Sequence, residues 1–194
     1  MDVTRLIIVA VGGQGNLLAS KVLGEAARQS GVPVRMSEIH GMAQRGGVVE
    51  SALVFGPADS TVISDGEADI LVSFEPLEAL RALKKCSPDT VVITNTKPLP
   101  PFTAATGRGV YPDLDAIRSL VGAKTARLID FNATQLATEA GNVLSVNMVL
   151  LGALTATGLL PLSAESVKNA IRETTREAFL ETNLKAFELG SRAV

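Results

Sequence analysis

The first apolar run, within Arg5–Val11 (RLIIVAV), shows no polar alternation, the pattern of a β-strand covered on both faces. Four residues, Gly12-Gly13-Gln14-Gly15, interrupt it. Apolar positions then return at helical spacing from Asn16 to about Ser30, with Ala19, Val22, Leu23 and Ala26 on one face and Gly31 closing the segment. Val32–Ile39 reads as a second strand. A strand, glycine turn, helix and strand in this order predict a right-handed crossover with parallel pairing.

Further along, Val48–Phe55, Ile70–Phe74, Thr90–Thr94 (TVVIT) and Ala126–Phe131 are predicted strands. Pro76 stands just inside a helix start, followed by Leu77, Leu80, Ala82 and Leu83. A short helix is predicted around Asp113–Val121. From Asn95 to Pro112 the chain carries Pro98, Pro100 and Pro101 and reads as a long excursion loop. The remainder is helical: about Thr134–Ala140, Val143–Thr157, and Ala164 onward with Val167, Ile171, Ala178 and Phe179 as its apolar stripe. The pattern predicts a single Rossmann-like, doubly wound α/β domain over 1–194, with a mostly parallel sheet and a helical C-terminal part. Strand order is left open.

The stretch Ala140–Ala164 contains no charged residue, so a membrane span has to be considered. Asn142, Ser145, Asn147, Thr155 and Thr157 interrupt it and no basic flank anchors it, which favours a buried helix. Gly152, Ala153 and Ala156 would let another element approach that helix closely.

Composition adds three constraints. A net charge of −2 gives no reason to expect nucleic acid or an anionic membrane as a partner. One cysteine, Cys86, cannot build a disulfide or ligate an iron–sulfur cluster within one chain, which fits a cytoplasmic protein; one histidine, His40, argues against a His-rich metal site. Aromatic residues are only 4% and mean hydropathy is +0.29, so the core is aliphatic and apolar surface is expected to seek a partner.

The turn Gly12-Gly13-Gln14-Gly15, opening a helix at Asn16, is suited to close approach of a ligand or a chain to backbone N–H groups. Glu38, at the end of the second strand, occupies the place of a ribose-binding acid in dinucleotide folds. The fingerprint is incomplete, since Leu18 stands where a third glycine belongs, and no Gly-Lys-Ser/Thr follows. Three readings stay open: a dinucleotide site, a turn that only lets the helix pack tightly, and an anion- or cofactor-facing loop at a subunit interface.

A second polar cluster, Glu38-Ile39-His40-Gly41-Met42-Ala43-Gln44-Arg45-Gly46-Gly47, falls at the carboxyl end of a strand, where open α/β sheets place their sites. Gln44, Arg45, Gly46 and Gly47 could offer a guanidinium and backbone amides to a carboxylate or phosphate. The alternative is a solvated loop in which Arg45 pairs with Glu38 or Glu50. Asp65-Gly66 followed by Asn95 imitates the spacing of a thiamine-diphosphate metal motif, but Ser64 precedes Asp65 and the interval has core character.

VGGQG followed by NLLASKVLGEAA, then EIHGMAQRGGVVESALVFG, resembles the beta subunit of indolepyruvate ferredoxin oxidoreductase and, more broadly, the gamma domain of pyruvate and ketoisovalerate ferredoxin oxidoreductases. ADILVSFEPLEALRAL, NMVLLGALTATGLLPL and NLKAFELG extend the likeness along nearly the whole chain; Ala10 departs from it, where many relatives have glycine. The resemblance implies a gamma-type domain in a hetero-oligomer that oxidatively decarboxylates an arylpyruvate to an acyl-CoA. Thiamine diphosphate, Mg and the iron–sulfur clusters would then belong to a larger catalytic subunit, ferredoxin would be reached through it, and coenzyme A would be the co-substrate. This chain would bind none of these cofactors alone, could form a homodimer when isolated, and would complete the partner's pocket through Gly12–Asn16 and His40–Gly47. The rival readings are a stand-alone NAD- or FAD-binding Rossmann protein and a purely structural subunit.

Overall fold

The computed structural model describes residues 2–41, 47–100 and 109–194. The elements run β1 (Thr4–Val11), α1 (Asn16–Gln29), β2 (Val34–His40), β3 (Val48–Phe55), β4 (Ala68–Ser73), α2 (Pro76–Ala82), β5 (Cys86–Asn95), α3 (Leu114–Lys124), β6 (Arg127–Phe131), α4 (Ala133–Ala140), α5 (Val146–Ala156), α6 (Ala164–Thr174) and α7 (Glu177–Ser191). One-turn 3-10 helices at Leu83–Lys85 and Val143–Ser145 precede β5 and α5.

The strands form one sheet in the order β2-β3-β1-β4-β5-β6. Pairing is parallel from β1 through β4 and β5 to β6, whereas β3 is antiparallel to both β1 and β2. Five strands therefore point one way and β3 alone is reversed. This corrects the simple β1–α1–β2 pairing expected from the sequence: β2 is parallel to β1, but β3 lies between them. β2 becomes the sheet's edge, and its side chains are only half-buried or exposed.

β1 shows why its apolar run is continuous. Leu6, Ile8 and Ala10 pack with α1 and α4 to α7 on one face, while Ile7 and Val9 pack with Ala82, Ile117 and Val121 of α2 and α3 on the other. The helix after β1 and the helix after β4 thus diverge to opposite faces, opening a crevice between the carboxyl ends of those two strands.

The charge-free stretch is α5, buried along Val146–Thr155. Among the described residues no helix is long and apolar enough to cross a membrane. The close approach expected at Gly152 is real, and its partner is α7: a Cβ on Gly152 would overlap the Phe187 carbonyl, and one on Gly190 the Val149 carbonyl. The helical tail is two helices, not one. Consecutive β-branched residues Thr174 and Thr175 end α6, and extended backbone at Thr175 and Arg176 turns α7 back onto α5. Ala178 and Phe179, expected in the buried stripe, are exposed for this reason; Asn183, Ala186, Phe187 and Gly190 are buried instead.

Glycine-to-alanine changes therefore have one sign at the α5–α7 contact and the opposite sign on α3. Gly152→Ala and Gly190→Ala each force the α5 and α7 backbones apart and are expected to cost about 2–4 kcal/mol. Gly122→Ala on α3, where an added Cβ meets nothing within 4 Å, is expected to stabilise by roughly 0.5–1 kcal/mol. Urea unfolding of the purified chain measures all three.

Candidate functional site

Gly13 and Gly15 adopt φ of 101° and 87°, left-handed conformations that side-chain-bearing residues rarely tolerate. The turn can therefore reverse direction within four residues between β1 and α1. Gln14 locks it to the crevice. Its Oε1 accepts from Val11 N–H at 2.8 Å, and its Nε2 donates to the Phe74 carbonyl at 3.2 Å, just past the end of β4. Asn95, at the end of β5, donates to the same carbonyl at 3.1 Å and to Thr134 Oγ1 at 2.9 Å. One carbonyl thus joins the carboxyl ends of β1, β4 and β5 and the start of α4.

A second anchor comes from α5. Asn147, 3% exposed, donates to the Gly15 carbonyl at 3.2 Å, and a Cβ on Gly15 would lie 2.7 Å from its Nδ2. On the far side of the turn, Gly12 N–H donates to the Gly47 carbonyl at 2.8 Å and Gly41 N–H to the Val48 carbonyl at 2.8 Å. The two motifs singled out in the sequence are therefore in contact.

Between them lies a cavity of about 610 Å³, with Gly12, Gly13, Gly15 and Asn16 on one wall and His40, Gly41 and Gly47 on the other. Leu17 and Val48 supply apolar surface. Asn16 is 4% exposed; its Nδ2 donates to the Val49 carbonyl at 3.3 Å, while its Oδ1 is buried with no partner among the described residues. The first N–H groups of α1 also face this wall and favour anionic or polar ligand groups. A neighbouring cavity of about 410 Å³ opens between Gly12–Gln14 and Asn95, Lys97, Leu99 and Leu144.

Other expected site residues fall elsewhere. Glu38 pairs in register with Ser51 of β3, which pairs with Ile8 of β1. It is two strand spacings from β1, roughly 10 Å, and well behind the turn. The interposed β3 removes it from the place a ribose-binding acid occupies. Gln44, Arg45 and Gly46 lie outside the described residues, in the connection between Gly41 and Gly47. Asp65 and Asn95 stand at opposite ends of the parallel β4–β5 pair, and Asp65 is ion-paired with Lys85 at 3.4 Å. They cannot share a metal ion. Among the described residues no group of three or more His, Cys, Asp or Glu could hold one. Cys86 is buried, and burial pushes its thiol up to about 11.

Residues that sequence reasoning missed are the supports: Asn147, Asn95 as a hydrogen-bonding junction, and Glu75. Glu75 had a legible signal, because an acid before Pro76 with Glu78 three positions on is a helix-capping pattern.

The profile of the pyruvate ferredoxin/flavodoxin oxidoreductases matches residues 5–193. The chain belongs to that family. Within the family, the indolepyruvate oxidoreductase subunit IorB of Methanothermobacter thermautotrophicus is 44% identical over 186 residues, covering 96% of this chain and 95% of that one. Two solved structures share the fold. The gamma subunit of a keto/oxoacid ferredoxin oxidoreductase from Geobacter sulfurreducens gives a TM-score of 0.71 at 24% identity, over 98% of this chain and 97% of that one. The 2-oxoglutarate:ferredoxin oxidoreductase of Magnetococcus marinus, solved with 2-oxoglutarate, coenzyme A and succinyl-CoA, gives 0.76 at 19% identity. All of this chain aligns there, with 31% of the larger one. In this family member, then, the glycine turn belongs to a fold that also occurs as one part of a longer polypeptide.

Gln14→Glu tests the junction. A carboxylate keeps the acceptor for Val11 but cannot donate to the Phe74 carbonyl, so it should destabilise the fold at neutral pH by about 1–3 kcal/mol, more than Gln14→Ala does. Thermal unfolding of the three proteins at pH 7 checks the ranking.

Proposed function

We propose that this chain, the small subunit of a 2-oxoacid:ferredoxin oxidoreductase, closes the active-site or coenzyme A side of a larger catalytic subunit, and that the oxoacid is an arylpyruvate of the indolepyruvate type. The observation that carries this reading is the joining of the two glycine motifs around one polar cavity at the carboxyl edge of the sheet. Exposed apolar side chains surround that edge: Leu17 at 59%, Leu144 at 69% and Phe179 at 46%. A partner that buried them would also cover the cavities between them.

The reaction converts an oxoacid and coenzyme A to an acyl-CoA and carbon dioxide, with two electrons leaving through iron–sulfur clusters to ferredoxin. Thiamine diphosphate supplies the electron sink for decarboxylation. In this reading the thiamine diphosphate, its metal and the clusters are held by the larger subunit, as the family resemblance implies; the separation of Asp65 from Asn95 and the single buried cysteine support it. The role of this chain is to present backbone N–H groups and Arg45 to an anionic portion of a substrate, to hold the turn rigid through Gln14 and Asn147, and to exclude water with its apolar rim. The assembly works in the cytoplasm, where Cys86 stays reduced.

Reconstitution with the larger subunit tests the reading. Arg45→Ala should raise the KM for arylpyruvate or coenzyme A by about tenfold. Leu144→Asp should weaken assembly by more than about tenfold in gel-filtration titrations. The isolated chain should oxidise no arylpyruvate. Unaltered assembly and kinetics in both variants, or turnover by the chain alone, refute the proposal.

A further inference from the structure

Two carboxylates on either side of the α2 N-terminus are almost fully buried, Glu75 at 1% and Glu78 at 2% exposure. Glu78 pairs with Arg81 at 2.5 Å, yet burial still pushes its acid upward. Glu75 makes no ion pair among the described residues and is held by three neutral donors. Its Oε2 accepts from Glu78 N–H at 3.1 Å, capping α2. Its Oε1 accepts from Leu99 N–H at 3.2 Å and from the Tyr111 hydroxyl. Burial and this bond both push the Tyr111 phenol up, so it remains a donor at neutral pH.

An anionic group in such surroundings is costly unless its oxygens are fully satisfied, and a second acid close by adds to the cost. Capping α2 does not require it, since Ser, Thr or Asn could do so without burying a charge. The further work of this carboxylate is at Leu99 and Tyr111, which lie near the two ends of the Asn95–Pro112 excursion. Lys97 and Leu99 form the wall of the 410 Å³ cavity that faces Gly12, Gly13 and Gln14. Lys97 is exposed and makes no ion pair among the described residues. Phe74, the residue before Glu75, carries the carbonyl that Gln14 and Asn95 share. Both walls of this cavity are therefore hung from the same two residues at the end of β4.

Building on the reading that this edge completes the catalytic pocket, we propose that Glu75 is a positioning residue for the oxidoreductase reaction: by gripping Leu99 and Tyr111 it holds Lys97 beside the Gly12–Gln14 turn, where the ammonium meets an anionic group of a substrate. The 2-oxoacid carboxylate and the coenzyme A phosphates share that chemistry. Varying each substrate in turn distinguishes them.

The experiment is steady-state kinetics on the reconstituted holoenzyme. Lys97→Ala is expected to raise the KM of one of the two substrates about tenfold, with kcat changed less than about twofold. Glu75→Gln should raise the same KM, and Tyr111→Phe should raise it about three- to fivefold. Combining Glu75→Gln with Lys97→Ala should add nothing beyond Lys97→Ala alone, because both remove one interaction. Should Glu75→Gln fail to fold, Tyr111→Phe, which leaves the carboxylate and the α2 cap in place, is combined with Lys97→Ala instead. Additive losses, or a fall in kcat with both KM values unchanged, overturn the role of Glu75. If Lys97→Ala shifts KM and neither Glu75→Gln nor Tyr111→Phe does, the positioning role fails while the pocket reading stands. If Lys97→Ala and Arg45→Ala both leave every constant unchanged, both readings fall.

Discussion

The carbonyl of Phe74 lies where β4 has just ended, and it accepts from the side-chain amides of Gln14 and Asn95. Backbone pairing of a parallel α/β sheet runs out at its carboxyl ends, because each chain leaves for a helix there; the last bonds here are from Phe74 N–H to the Val9 carbonyl and from Thr96 N–H to the Phe131 carbonyl. Beyond them, two side-chain amides tie the departing segments together, one from the turn after β1 and one from the tip of β5. The turn, the α2 cap and the start of α4 are consequently fixed relative to one another before any ligand arrives, which reduces the ordering cost that binding must overcome.

That arrangement makes the carboxyl edge a preformed surface. It gathers helix N-termini, glycine-lined walls and two cavities separated by the Gly12–Gln14 turn. The polar atoms there are mostly engaged in holding the scaffold, with Asn16 Oδ1 an exception. Leu17, Leu144 and Phe179 add exposed apolar surface to the same edge.

Much of this was legible in the sequence. β1, β3 and the turn were readable because a doubly covered strand leaves an unbroken apolar run and positive φ demands glycine. The sequence placed GGQG and HGMAQRGG each at a strand end; that Gly12 bonds to Gly47 is what the structure adds. What could not be read was the reversal of β3. Its apolar pattern is the same whichever way it runs, and the intervening loop is too polar to betray its path. That single reversal displaced Glu38 from the turn. The division of the tail at Thr175 was similarly hidden, since apolar positions continue past it in nearly helical rhythm; two adjacent threonines were the available clue. The bonding roles of Asn147 and Asn95 escaped notice because their partners, Gly15, Phe74 and Thr134, are distant in sequence, which no local pattern announces.

The reversed strand also has an evolutionary corollary. Because β2 and β3 are antiparallel neighbours, the chain passes between them at the carboxyl edge and needs no crossover helix to return. Ladder pairing stops at His40 and Val49, and the Gly41 N–H bond to Val48 closes the stem. Insertions, deletions or wholesale replacement of residues between Gly41 and Gly47 leave every rung of the sheet intact. Descendants of this fold can therefore re-tailor this connection without renegotiating the sheet's stability, a modularity that an all-parallel sheet would not have provided at this position.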